Sequence, residues 1–146
     1  MLHVYVPRCC GLVHIEKALC VFQRNDYEPD IVYFCPKKKA ALVRPETLKF
    51  PVPDCIVKIL SESTEVRDRG VKFEDYAAHG VREYWIVDPE AETVEQDLLT
   101  EEREFRLNLK SNNGHISSVV ISGFLIPVRA IFDSEENLAA LAVLLK

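Results

Sequence analysis

Asp30 follows Pro29 directly and opens the short apolar run Ile31–Phe34. A carboxylate at the mouth of a buried strand can bind a hard divalent cation, although by itself an aspartate after proline reads first as a turn residue. Lys58 stands in Cys55–Leu60, a run with no other charge. Lysine is almost never buried without a partner. Either a carboxylate meets it, Asp30 being that partner if the two runs are neighbouring strands, or the run is an edge strand from which the ammonium snorkels to water. Lys72 lies four residues after Asp68, with the acid on the N-terminal side. By spacing alone this is an exposed i,i+4 pair worth roughly 0.2–0.5 kcal/mol.

Other chemistries have no foothold. The five cysteines contain no Cys-x-x-Cys pair, which argues against a disulfide framework or a zinc site. Cys20, Cys35 and Cys55 lie in apolar runs and read as small buried hydrophobes. The four histidines show no His-x-x-x-His spacing, and the five glycines are isolated, so neither a P-loop nor a Rossmann turn is present. A Gly-x-Ser-x-Gly elbow is also missing. A net charge of −5 argues against a broad basic surface for nucleic acid, though not against a local groove. No apolar run approaches the roughly 20 residues that span a membrane, and the N-terminus lacks the pattern of a signal peptide. A soluble cytoplasmic protein is expected.

The candidate residues need elements to hold them. At 146 residues, without repeats or a Gly/Ser linker, residues 1–146 read as a single domain. Met1–Arg8 is ambiguous and could be the tail of a helix. Leu12–Phe22 predicts one strand, Ile31–Phe34 a second, and the proline-interrupted Pro36–Pro53 a loop with a helical turn around Glu46–Lys49. Pro53–Pro89 then reads as strand, helix, strand, the spacing of a βαβ crossover. Cys55–Leu60 is its first strand, and Ser61–Thr64 can cap the helix Glu65–His79. Val66, Gly70, Phe73 and Ala77 share one face of that helix, and Gly80 is its stop. The second strand is Arg82–Val87, where Trp85, the single tryptophan, is a core anchor. Thr93–Leu98 and Glu104–Leu109 predict an antiparallel pair, and Ser117–Ile121 a further strand. Phe124–Phe132 is broken by Pro127. A C-terminal helix follows, capped by Ser134, with Glu135 and Glu136 in its first turn and an apolar stripe of Leu138, Leu141, Ala142 and Leu145.

NDYEPDIVYF, followed by PDCIVKILSESTEVRDRGVKFEDYAAHGVREYWIVDPEAETVEQ, resembles the Uma2 family of the PD-(D/E)xK nuclease superfamily. The resemblance is carried by an ordered set: Pro29-Asp30 opening a strand, Leu60-Ser61-x-Ser63-Thr64, Asp68-Arg69-Gly70-x-Lys72, Tyr76-Ala77, and Gly80-Val81-x-Glu83-Tyr84-Trp85-Ile86-Val87-Asp88-Pro89. It covers at least Tyr27–Gln96 and, more loosely, Gly11 to the C-terminus. It implies an α/β, restriction-endonuclease-like core, a mixed central β-sheet flanked by helices, N-terminally shortened by loss of the first core helix. It implies hydrolysis of phosphodiester bonds in DNA with Mg²⁺ or Mn²⁺, Asp30 as metal ligand and Lys72 as catalytic lysine; a homodimer is open.

The chain departs from the family at one place. Lys58 stands where the family carries its second metal-binding carboxylate, a glutamate. A +1 charge about 5 Å from a divalent ion at an effective dielectric near 20 costs roughly 6–7 kcal/mol at the upper end. Even a third of that weakens metal binding more than tenfold. The alternatives are therefore an active endonuclease, a catalytically dead nuclease fold that binds or assembles with the Asp30 site filled by Lys58, or an interaction domain using the C-terminal helix.

Overall fold

The computed structural model describes residues 11–15, 18–23, 25–42 and 49–146. Strands β1 (Leu12–Ile15), β2 (Leu19–Val21), β3 (Asp26–Tyr27) and β4 (Ile31–Phe34) come first, then helix α1 (Pro36–Ala41), β5 (Lys49–Phe50) and β6 (Cys55–Ile59). Helices α2 (Glu65–Arg69) and α3 (Val71–Ala78) lead into β7 (Glu83–Asp88), β8 (Thr93–Leu99) and β9 (Phe105–Ser111). A hairpin of β10 (His115–Ser117) and β11 (Leu125–Pro127), a 3-10 turn over Val128–Ile131 and helix α4 (Ser134–Leu144) complete the order.

Six strands form one sheet in the order β1-β4-β6-β7-β8-β9. Only β6 and β7 run parallel, joined by α2 and α3; the other neighbours are antiparallel. This is the expected mixed α/β architecture, with the crossover where the sequence placed it. Alternation along the strands separates two cores. Val32, Phe34, Ile56, Tyr84 and Ile86 face α3 and pack with Tyr76. Tyr33, Cys55, Val57, Trp85 and Val87 face the opposite way and pack with Ile126, Ala140 and Leu144. No helix among the described residues is long and apolar enough to cross a membrane.

Several expectations change. Leu12–Phe22 is two strands in different sheets, because β1 pairs with β4 whereas β2 pairs with β3 and β5. The charged Glu16-Lys17 in the middle of the run was the available sign. The loop expected after Pro36 begins as α1, with proline at the helix start, where its missing N–H is harmless. Glu46–Leu48 lies outside the described residues, as does Met1–Arg8, and Lys49 belongs to β5. The single helix Glu65–His79 is broken at Gly70, whose backbone sits at φ −110°, ψ −109°. The break turns Val66 out to solvent, and α3 buries Asp75, Tyr76 and Ala77. Thr64 precedes α2 without a side-chain cap; its hydroxyl is paired with Ser61 Oγ at 2.9 Å.

Ser117–Ile121 is not a strand beyond Ser117, because a buried carboxylate collects its backbone. Glu83 Oε2 accepts from Ser118 Oγ, Val119 N and Val120 N, while Oε1 accepts from Trp85 Nε1 and Gln96 Nε2. The last helix is capped by Asp133, whose Oδ1 accepts from Glu135 N and Glu136 N, rather than by Ser134. Its buried face is Ala140 and Leu144, one position off the expected stripe, so that Leu138 and Leu145 are exposed. Asn137 fixes that rotation by donating from Nδ2 to Ala130 O.

Candidate functional site

The antiparallel register Ile31↔Val57 brings the entry of β4 beside the exit of β6. Asp30 and Lys58 therefore meet. Lys58 Nζ lies 3.0 Å from Asp30 Oδ2, and the same oxygen accepts the Ile59 N–H at 2.8 Å. The lysine side chain is 13 % exposed and the aspartate 33 %. Of the two readings open for Lys58, the paired one describes its position: β6 is an interior strand, flanked by β4 and β7.

Lys72 is not surface decoration. Its Nζ is 2.8 Å from Asp68 Oδ1, and Asp68 is fully buried under the α2–α3 junction with Lys72 at 16 %. The ammonium also sits over the ring of Tyr27, 5.9 Å from its centroid, within cation–π reach. Tyr27 is fixed in turn by its hydroxyl, which donates to Asp75 Oδ2 at 2.5 Å. Burial pushes the Tyr27 phenol up, and its hydrogen bond to Asp75 adds to the shift.

Sequence reading missed a third cluster on the same sheet face. Lys58, Ile86, Glu95 and Lys110 are register partners across β6, β7, β8 and β9. Arg69 closes over this row: Nη1 and Nη2 donate to Glu95 at 2.6 and 3.0 Å, Nε donates to Glu65 at 3.2 Å, and Lys110 pairs with Glu95 at 2.8 Å. The fork raises the Arg69 pKa, its hydrogen bonds to Glu95 outweighing burial. Burial pushes Glu95 up, but the bonds from Arg69 and Lys110 win and hold it below the usual range. Asp97, two residues on, is pushed up to about 6 by burial and by the Glu95 charge. The sign in the sequence was the period-two pair Glu95 and Asp97, acids on one face of a strand whose other face carries Val94 and Gln96.

These four cations thus have internal counter-ions: Asp30 for Lys58, Asp68 for Lys72, Glu95 for Arg69 and Lys110. The Mg²⁺ or Mn²⁺ that the resemblance implies does not fit the residues present. The accepting oxygen of Asp30 already serves an ammonium and a backbone N–H. No group of three His, Cys, Asp or Glu among the described residues converges as a metal cage. Glu83, the carboxylate of the Glu-Tyr-Trp motif, points to the other face and anchors the loop at 118–120.

Comparison with known proteins adds two findings. Residues 3–129 match the family model Uma2, described as "Putative restriction endonuclease". The fold is similar to a crystal structure titled as that of "a putative nuclease belonging to DUF820" from Anabaena variabilis, with TM-score 0.70 and 18 % identity over 89 % of this chain and 74 % of that one. No curated protein matches the chain.

Proposed function

The chain belongs to the Uma2 family of restriction-endonuclease-like proteins, and from that premise we propose that this domain holds the phosphodiester backbone of DNA and, as built, does not hydrolyse it through a bound metal ion. The observation that carries the reading is the 3.0 Å contact between Lys58 and Asp30. Metal-assisted phosphodiester hydrolysis needs carboxylate oxygens free for the ion, and Mg²⁺ takes one or two of them while keeping several waters. Here an ammonium stands against the carboxylate instead. It neutralises Asp30, so that a phosphate approaching β6 meets a paired carboxylate rather than a bare one. Lys72, partly exposed at the start of α3, is a second cation available to the DNA backbone. Backbone contacts of this kind give affinity without reading sequence and weaken with salt.

A second reading, hydrolysis with Lys58 turned away from Asp30, draws on one observation: the Asp30 side chain keeps a third of its exposure. Titration with Mn²⁺ separates the two. The wild-type chain is expected to take up no ion that depends on Asp30, to bind duplex DNA equally well with a chelator present, and to gain an ion site in Lys58→Glu. Wild-type Mn²⁺ binding that disappears in Asp30→Ala would instead support the hydrolase.

A further inference from the structure

Asp68 is fully buried, and its Oδ2 meets no hydrogen-bond donor among the described residues. Buried carboxylates in folded proteins are paired and hydrogen-bonded, so a free buried oxygen needs an explanation. Its other oxygen holds Lys72 at 2.8 Å. The backbone that carries it is anchored. The Asp68 backbone carbonyl accepts the Tyr84 hydroxyl at 3.2 Å, and the next residue, Arg69, is forked onto Glu95. An ammonium has three donors. One faces Asp68, the Tyr27 ring lies over the group, and a remaining donor is left for the side of Lys72 that is exposed.

We infer that Asp68 is the positioning residue of Lys72: its buried carboxylate holds the ammonium in place and aims the remaining N–H at a phosphodiester oxygen. The open Oδ2 lets the lysine turn toward that anion without losing its counter-ion. The geometry at Asp68 stands independently, whereas the identity of the anion rests on the function proposed above.

The test is amine hydrogen exchange by NMR in ¹⁵N-lysine-labelled protein, with binding of a short DNA duplex measured alongside. In the wild type, the Lys72 ammonium should exchange at least tenfold more slowly than those of Lys37 and Lys39, which are exposed on α1. Asp68→Asn should remove that difference and weaken DNA binding severalfold; Asp68→Glu should restore part of both. Lys72 exchange as fast as Lys37 and Lys39 in the wild type overturns the inference, and this arm needs no variant to fold. Slow exchange in a chain that binds no DNA overturns the phosphodiester as ligand while supporting Asp68 as the counter-ion.

Discussion

Lys58 meets Asp30 because two short strands run antiparallel with Ile31 opposite Val57, which leaves the two charges at the same end of the sheet. From the sequence the lysine was visible as a misplaced charge, and its partner could be named only on the condition that the strands were neighbours. Asp68 was less legible. Its spacing to Lys72 is that of any solvated helix pair, and burial at the junction of two helices is a tertiary property that i,i+4 spacing does not encode. Asp97 gives a residue-scale prediction. Its carboxyl is raised to about 6, from an ordinary value near 3.8, by burial and by Glu95. A raised carboxyl favours the folded state fully below the unfolded value, and that contribution is lost as pH climbs through about 6. Asp97→Asn should therefore be more stable than the wild type at pH 7, by about 1–3 kcal/mol, and no more stable at pH 4. Urea unfolding at the two pH values checks this, and an equal difference at both would remove the explanation.

At the scale of elements, the crossover from β6 to β7 was readable because apolar runs and a terminal glycine mark it, Gly80 taking φ 85°. The break inside its helix was not. Gly70 fits the predicted stripe as well as alanine would, and only its backbone shows that it is a joint: a Cβ there would lie 2.9 Å from the Val66 carbonyl oxygen. Gly70→Ala should cost about 1–2 kcal/mol in urea or thermal unfolding, a steric penalty against the Val66 carbonyl in place of the helix propensity that alanine normally adds. A neutral or stabilising effect would mean that the helix can run through. The shifted face of α4 has a similar origin. Asn137 ties the helix to Ala130 O one position away from the expected stripe, and a single position is about 100° of rotation, enough to exchange a buried leucine for an exposed one.

For the whole molecule, the sheet carries two unlike faces. One is an apolar core closed by the β10–β11 hairpin and α4. The other pairs an apolar half with a row of charges that satisfy one another. Family membership was readable from ordered motifs because the residues in them also build the fold: Glu83 ties down a loop, Tyr84 and Trp85 fill the two cores, and Asp88 closes the turn by accepting from Glu90 N and Ala91 N. Such motifs survive whether or not the site still binds a metal. The motifs therefore mark the family, and in the function proposed above the chemistry turns on position 58. With a net charge of −5 spread over the chain, the DNA binding proposed above would be local to this face and would fall with added salt.

The most direct measurement is cleavage of supercoiled DNA with Mg²⁺ or Mn²⁺ by the wild type, Lys58→Glu, and Lys58→Glu combined with Asp30→Ala. The account predicts an intact substrate with the wild type, cleavage with Lys58→Glu, and loss of that cleavage when Asp30 is also removed. Metal-dependent cleavage by the wild type that Asp30→Ala abolishes would contradict it.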